Sequence, residues 1–248
     1  MNSIEASIVM VLHAEGRWAH PAIVTVLKAI ERATGVGIGA ELVLVLDRPD
    51  DATLGYTDRY RRQERVRLVA VDFGDVGMAR NEGIARSLGR WVSVMTPMHR
   101  MDEHWVVNAV YMLHKSSAER IARPEYLVVL GAKHWVQRLI ASHGEDFPTG
   151  SLLVTHVYRT GFCCAPKPVF EKFRYPAARE PMEAETIDWY WTCETLACGI
   201  GHVAVPQTVL FIHDPEGTSV ENRSVDNHSA LLQTSQLFDA KTWKSMTS

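Results

Sequence analysis

Short apolar runs alternate with helix-like segments from residue 6 to about residue 130, and this alternation constrains the fold more than any other feature. The runs are rich in Val, Ile and Leu and are followed by polar residues, as expected of strands buried on both faces. The predicted strands are residues 6–13, 41–46, 66–71, 91–95 and 126–130. Apolar residues at helical spacing predict helices at residues 20–33, 57–64, 77–88 and 103–115.

Strands that alternate with helices in this way form βαβ units, so we predict an α/β fold with a mostly parallel central sheet flanked by helices. Ligands of such sheets bind beyond the carboxyl ends of the strands. That rule selects His13, Asp47, residues 72–75 and residues 96–99 as the positions where a ligand would lie. The last third of the chain is less regular, and we predict that it continues the same sheet within a single domain of 248 residues.

Composition and charge exclude several classes of protein. With 46% hydrophobic and 22% charged residues the chain is an ordinary globular protein, and a net charge of −3 argues against a nucleic-acid partner. Five arginines between residues 59 and 67 predict an exposed helix and turn or, as the alternative, a contact for a phosphate or an anionic membrane. No apolar run could span a bilayer and no signal peptide is recognisable, which predicts a cytoplasmic protein with at most peripheral membrane contact.

The cysteines do not have the spacing of a zinc site. None of the four forms a CxxC pair, so we predict reduced thiols in the core. They are Cys163, Cys164, Cys193 and Cys198.

Two features at the predicted strand ends point to nucleotide chemistry. Asp47 follows the second strand, where a carboxylate can accept hydrogen bonds from a ribose hydroxyl or a base N–H, although it could equally be a turn-forming residue. Residues 74–84 read Gly-Asp-Val-Gly-Met-Ala-Arg-Asn-Glu-Gly-Ile, and their glycines permit close backbone approach and a sharp entry into a helix. Arg80 lies in the first turn of that helix, near its positive end, where it could reach a diphosphate.

The order of these pieces resembles that of a family 2 glycosyltransferase of the GT-A fold. Members of that family combine a polar residue near the end of the first strand with an aspartate after the second strand, a Gly…Ala-Arg-Asn-x-Gly helix and a Gly-aromatic strand. The matching pieces here are residues 8–13, Asp47, residues 77–83 and residues 89–95, and Trp105 falls where the family often has a tryptophan.

The resemblance implies transfer of a sugar from a nucleotide-sugar donor to an acceptor hydroxyl, with inversion, in surface polysaccharide or glycoconjugate synthesis. Residues from about 6 to 130 would form a nucleotide-binding half, and residues from about 131 to 248 an acceptor-side half and C-terminal extension for a glycan or lipid-linked acceptor. The implied donor site comprises His13, Asp47, Arg80, Asn81, Thr96 and Met98.

The segment 187–195 resembles the Glu-Asp-Trp segment in which the family has its catalytic base. This implies that Asp188 takes the proton from the acceptor hydroxyl. The preceding residue is Ile187 rather than Glu, which leaves Glu185 and Glu194 as replacements and a helix N-terminal aspartate as the structural alternative. Trp189 and Glu194 are the predicted acceptor-side residues, although Trp189 and the nearby Trp191 could instead be core aromatics.

The chain departs from the family at the metal-binding motif. Where the family has Asp-x-Asp-Asp and binds Mg²⁺ or Mn²⁺, this chain reads Thr96-Pro97-Met98-His99, which lacks the carboxylate ligands those ions prefer. His213, at the end of a predicted strand 208–212, is a weak candidate for a metal ligand.

Three interpretations of this departure are open. The enzyme works without a metal, with a cation such as Arg80 or His213 stabilising the leaving diphosphate. Alternatively, the chain is a catalytically silent binding or scaffolding module. In the third interpretation, Asp72 and Asp75 form a displaced acidic pair.

Overall fold

The computed structural model describes residues 3–132, 134–153, 155–177, 184–214 and 235–247. The strands are β1 (Ile4–Leu12), β2 (Gly39–Asp47), β3 (Val66–Val71), β4 (Trp91–Met95), β5 (His99–Met101), β6 (Arg120–Gly131), β7 (Trp135–Arg138), β8 (Cys163–Pro166) and β9 (Gly201–Asp214). The α-helices are α1 (His20–Gly35), α2 (Asp51–Thr57), α3 (Val76–Arg86), α4 (Trp105–Lys115), α5 (Lys167–Lys172), α6 (Ala184–Ala197) and α7 (Ala240–Thr247). Short 3₁₀ helices are Gly16–Ala19, Asp58–Tyr60, Thr149–Leu153 and Gln236–Phe238.

Within these described residues all nine strands belong to one sheet, in the order β3-β2-β1-β4-β8-β6-β9-β5, with β7 paired to β6. β1, β2, β3, β4, β6 and β9 run in one direction, whereas β5, β7 and β8 run against them. The predicted α/β fold with a mostly parallel central sheet is therefore confirmed.

The first half of the sheet follows the hydrophobic pattern closely. Four of the five predicted strands and three of the four predicted helices occur within a few residues of their expected positions, whereas β6 begins at Arg120 rather than at residue 126. The helix expected at residues 57–64 is wrong, because the helix lies earlier, at Asp51–Thr57, and is followed by a 3₁₀ turn. The carboxylate of Asp50 accepts the backbone N–H of Thr53 at 2.8 Å and so caps this helix. Asp50 is thus the N-cap residue of this helix.

The sheet separates two hydrophobic cores. Along β1, Ile8 and Met10 point into the core that also contains the buried faces of α1 and α4, whereas Val9 and Val11 point into the core beneath α3 and α5. Full burial of each such side chain contributes about 1.5–3 kcal/mol, so both faces of the central strands stabilise the fold.

Helix α3 packs unusually close to the sheet. A Cβ atom at Gly83 would lie 2.6 Å from side-chain carbons of both Val9 and Val45, so only glycine fits without a shift of the helix. The second glycine of the Gly…Ala-Arg-Asn-x-Gly string is therefore explained by packing. This close approach fixes the height of the α3 side chains above the sheet.

The cysteines have no disulfide partner. Cys163, Cys164 and Cys193 are buried, whereas Cys198 is exposed, so the prediction of core thiols is wrong for Cys198 alone. Burial raises the pKa of Cys163 to about 11 and that of Cys164 to about 12, which keeps these thiols protonated at neutral pH. No helix in the described ranges is both long enough and apolar enough to cross a membrane.

Candidate functional site

The carboxyl ends of β1, β2 and β4 meet at one edge of the sheet, since these strands are parallel neighbours. His13 follows β1, Asp47 ends β2, and Thr96 follows β4. Three residues of the predicted donor site thus lie at the same edge. The loop between β3 and α3, residues 72–75, reaches this edge as well, because β3 pairs with β2 up to Asp47.

Asp47 holds the loop of residues 72–75 in place by hydrogen bonds to its backbone. Its side chain is fully buried. Oδ1 accepts the backbone N–H groups of Phe73 at 2.8 Å and Gly74 at 2.9 Å, and Oδ2 accepts that of Asp75 at 3.0 Å. Gly74 supports this arrangement with φ of +61°, a conformation that L side chains rarely adopt. A carboxylate has about four acceptor positions, and three of those of Asp47 are used by the loop.

His13 is half-exposed beside Asp47. Its Nδ1 lies 2.6 Å from the carbonyl oxygen of Asp47. A carbonyl oxygen can only accept, so Nδ1 carries a proton and donates it. In the neutral ring, Nε2 is then the hydrogen-bond acceptor and the atom available to a ligand.

Arg80, expected to bind the diphosphate, and Asp188, expected to act as the base, contact each other, and both roles stay predictions. Nη1 of Arg80 donates to Oδ1 of Asp188 at 2.6 Å, and Nη2 lies 3.5 Å from Oδ2. Arg80 is 5% exposed and Asp188 is 9% exposed, so the pair is enclosed by protein. The guanidinium also lies 5.1 Å from the ring centre of Tyr175. Burial acts to lower the pKa of Arg80, but the charge of Asp188, together with Tyr175, the hydrogen bond to Asp188 and Cys163, outweighs it and the pKa is raised.

The backbone at Gly161 contacts the side chain of Asp188. A Cβ atom at Gly161 would overlap the carboxylate group of Asp188, so the glycine backbone lies directly against it. Sequence reasoning did not anticipate this contact, because Gly161 has no motif around it. The carboxylate is thus bounded by Arg80 on one side and by this backbone on another.

A second buried arginine holds that backbone in position. Nη1 of Arg123 donates to the carbonyl oxygens of Thr160 at 2.8 Å and Phe162 at 3.1 Å, on either side of Gly161. Its Nη2 donates to Oγ1 of Thr192 and its Nε to Nδ1 of His202. Arg123 is fully buried, and none of the salt bridges between described residues includes it. Its signal in the sequence is slight: an arginine inside an apolar strand.

Asn81 joins α3 to the segment around Tyr175. Its Nδ2 donates to the carbonyl oxygen of Tyr175 at 2.8 Å, and its Oδ1 accepts the backbone N–H of Tyr175 at 3.0 Å. Gly77, on the same helix, lies against the carbonyl oxygen of Pro176. The side-chain amide of Asn81 therefore makes the same pair of hydrogen bonds with the backbone of Tyr175 that a neighbouring strand would make. A contact between Asn81 and a nucleotide sugar stays a prediction.

The loop that replaces the acidic motif lies beside His213. The backbone N–H of His213 donates to the carbonyl oxygen of Met98 at 3.1 Å. Met98 is 37% exposed and Thr96 is half-buried. The side chains at this point are therefore a hydroxyl, a thioether and an imidazole.

These groups do not fit Mg²⁺ or Mn²⁺, which prefer carboxylate and other hard oxygen ligands. Nowhere among the described residues do three His, Cys, Asp or Glu side chains converge in a way that could hold a metal ion. Asp72 and Asp75, the alternative acidic pair, each bind another group. Asp72 pairs with Arg48, and Asp75 caps α3 by accepting the backbone N–H of Met78.

His99 lies beneath the same loop. It is buried, its Nε2 lies 3.4 Å from Oγ1 of Thr160, and its Nδ1 has no hydrogen-bond partner. Burial, followed by the positive charges of Arg80 and Arg100, lowers the pKa of His99 to about 3. This imidazole is therefore neutral at physiological pH.

The predicted acceptor-side residues Trp189 and Glu194 both lie on α6. Trp189 is 6% exposed and belongs to one core, while Trp191 belongs to the other. Both are therefore core aromatics, which is the alternative that the sequence left open. Asp188 lies in the second turn of α6 rather than at its first residue.

Glu194 is bound to the C-terminal segment. Its Oε1 accepts the hydroxyl of Ser235 at 2.8 Å and the backbone N–H of Gln236 at 2.9 Å. The side chain of Glu185 lies outside the described residues. An acceptor role for Trp189 or Glu194 stays a prediction.

Comparison with known proteins gives a fold match but no sequence match. No protein-family model and no curated protein matches the chain. The structure of S. aureus TarS 1–349 in complex with UDP-GlcNAc matches with a TM-score of 0.69 and 13% identity, over 96% of this chain and 69% of that chain. The UDP complex of the same protein matches with a TM-score of 0.66 and 12% identity, over 96% and 68%. TarS is a family 2 glycosyltransferase, and the chain described here has its GT-A fold.

Proposed function

We propose that the chain is a glycosyltransferase that moves a sugar from a nucleotide-sugar donor to an acceptor hydroxyl. The observation that carries the proposal is the match over 96% of the chain to TarS, whose structure was solved with UDP-GlcNAc. The convergence of His13, Asp47 and Thr96 at the carboxyl edge of the parallel strands supports it, because ligands of open α/β sheets bind there.

The proposed reaction is a single displacement with inversion. The acceptor oxygen bonds to the anomeric carbon as the bond from that carbon to the phosphate oxygen breaks. The bonding electron pair leaves with the nucleoside diphosphate, and the acceptor proton passes to Asp188. The acceptor would be a glycan or a lipid-linked glycan, in surface polysaccharide or glycoconjugate synthesis on the cytoplasmic side.

The contacts of Asp188 restrict how it could act as the base. Oδ1 is held by Arg80 at 2.6 Å, whereas Oδ2 is 3.5 Å from the same guanidinium. The proton would therefore go to Oδ2. Arg80 would fix the carboxylate in position, and the backbone at Gly161 would have to leave room for the acceptor hydroxyl.

A second candidate function is a silent module that binds a nucleotide sugar or a partner without turnover. The specific observation that favours it is the enclosed Arg80–Asp188 pair beneath Gly161. The absence of carboxylates at Thr96 and Met98 points the same way.

Calorimetric binding and donor hydrolysis together test both candidates. UDP, GDP and their sugars would be titrated in EDTA, and release of nucleoside diphosphate would be followed with and without glycan acceptors. We expect binding in EDTA and a release rate that Asp188→Asn lowers at least 100-fold without changing donor affinity, since loss of a general base costs about 10²–10⁴ in rate. Asp58→Asn, at an exposed carboxylate paired with Arg61, is the matched control.

The outcomes separate the candidates. Donor binding without release of nucleoside diphosphate under any condition would favour the silent module. If no nucleotide or nucleotide sugar binds, the proposed function is wrong.

A further inference from the structure

The proposed donor carries a diphosphate, whose negative charge needs a partner that the loop at Thr96 and Met98 does not supply. Arg80, the expected cation, is neutralised by Asp188. Arg48, at the end of β2, is neutralised by Asp72. The cation that serves the diphosphate must therefore be sought among arginines that have no carboxylate partner.

Arg100 meets that requirement. It is half-buried on β5 and forms no ion pair with any carboxylate in the described part of the chain. Burial alone lowers its pKa, with no opposing charge from a carboxylate. A guanidinium that has lost part of its hydration without gaining a counter-ion favours the approach of an anion.

The guanidinium of Arg100 is anchored to the loop that replaces the acidic motif. Its Nη1 donates to the carbonyl oxygens of Pro97 at 3.2 Å and His99 at 3.0 Å. Both hydrogens of Nη1 are thereby used. Nε and Nη2 donate to no described residue, and these two atoms form the edge of a guanidinium that binds two phosphate oxygens side by side.

Strand alternation puts the side chain of Arg100 on the same face as that of His213. Arg100 is paired with Phe211 across β5 and β9, while the neighbouring pair, His99 and Ile212, points to the buried face. Met98, Phe211 and His213 are all exposed, and they lie on the face that Arg100 shares. Arg100 and His213 therefore flank Met98, one of the positions where the resemblance implies a metal-binding aspartate.

We propose that Arg100 replaces the divalent cation of the GT-A fold and binds the donor diphosphate through Nε and Nη2. This inference rests on the proposed function, because it assumes a nucleoside diphosphate donor. It adds that donor binding needs no metal, and that a side chain which sequence reasoning missed supplies the charge. The positive charge is built into β5, and its anchor to two carbonyl oxygens holds it in place before the donor arrives.

The test compares nucleosides that differ only in phosphate number. Uridine, UMP and UDP, and then the guanosine series, would be titrated in EDTA against the wild-type protein, Arg100→Ala and Arg100→Lys. We expect Arg100→Ala to lower the affinity for UDP about 10- to 100-fold and to leave the affinity for uridine unchanged. This factor is the contribution of charge-assisted hydrogen bonds to one phosphate group. Arg100→Lys keeps the charge but loses the paired donors, so its UDP affinity should fall between the two.

Arg86→Ala, which removes an exposed arginine paired with Glu82, is the control and should change neither affinity. Added Mn²⁺ should leave the wild-type UDP affinity unchanged. If uridine and UDP bind but their affinity ratio is the same in Arg100→Ala, or if Mn²⁺ is needed for UDP, the inference is wrong and the proposed function stands. If no nucleoside or nucleotide of either series binds the wild-type protein, the proposed function fails and the inference fails with it.

Discussion

Asp47 and Asp188 are both buried acidic residues, yet the chain satisfies them in different ways. Asp47 receives three backbone N–H groups from residues 73–75, within one loop. Asp188 receives the guanidinium of Arg80, a residue 108 positions away in the sequence. A carboxylate that binds backbone shapes a loop, whereas one that binds a distant side chain ties two parts of the chain together.

The same contrast extends to the surroundings of each residue. Around Asp47 the structure is built from parallel strands and local turns. Around Asp188 it is built from side chains that cross the fold, with Arg123 fixing the backbone on both sides of Gly161. The first region should therefore tolerate loss of one side-chain charge better than the second, and four experiments test that expectation.

The largest effect should come from Arg80→Met, which leaves the carboxylate of Asp188 buried without its partner. Breaking a buried pair from one side costs about 3–5 kcal/mol. Urea unfolding would measure the change in the free energy of unfolding. The double variant Arg80→Met with Asp188→Leu should recover most of the loss, because no charge is then left unpaired. A loss under 1 kcal/mol in the single variant would mean that the pair is hydrated.

Asp47→Asn should have the next largest effect. Asparagine keeps one oxygen for the loop but replaces the other with an NH₂ group, which cannot accept the N–H of Asp75. The oxygen that remains is uncharged, so its hydrogen bonds are weaker than those of the carboxylate. Each lost charge-assisted hydrogen bond costs about 1.5–3 kcal/mol, so we expect a loss of about 2–3 kcal/mol by urea unfolding. The rates of amide hydrogen exchange at Phe73, Gly74 and Asp75 should rise by the factor that corresponds to this loss of free energy. Unchanged exchange at these amides would contradict the account of the loop.

His99 should make the stability of the second region depend on pH. Burial and the charges of Arg80 and Arg100 lower its pKa to about 3, so between about pH 6.5 and pH 3 the unfolded chain binds a proton that the folded chain does not. Stability therefore falls as the pH falls through this window, by about 2 kcal/mol at pH 5 from this residue alone.

The variant His99→Phe removes this titration while keeping an aromatic ring beside Phe162. Its free energy of unfolding should fall by about 2 kcal/mol less than that of the wild-type protein between pH 7 and pH 5. His114→Phe, at an exposed position, is the control. Equal pH slopes in His99→Phe and the wild-type protein would contradict the prediction.

The contrast also explains which parts of the molecule the sequence could predict. Parallel strands read as aliphatic runs, so β3 and β4 were predicted with their observed bounds. β8 was missed because it is four residues long and begins with two cysteines, with no alternation to identify it. Asp47 could be selected as a strand-end residue by local pattern alone.

The contacts of the second region are not local, and the sequence could not predict them. Arg80 and Asp188 were each selected, but their contact depends on how α3 and α6 pack. Arg100 gives no signal in the sequence, because its role depends on a side chain that bends back to carbonyl oxygens of the preceding loop. Pairings between distant side chains leave no periodic pattern, and so they appear only in the fold.

The smallest effect should come from Glu194→Ala, and this variant sharpens the comparison with Asp47. Like Asp47, Glu194 accepts a backbone N–H, in this case that of Gln236, but its side chain is only half-buried and Ser235 also caps the 3₁₀ helix. Loss of a cap that water can partly replace costs about 0.5–1 kcal/mol. Urea unfolding should therefore rank Asp47→Asn above Glu194→Ala, although both remove an acceptor of backbone N–H groups. If the two losses are equal, neither burial nor the number of donors sets the strength of these contacts.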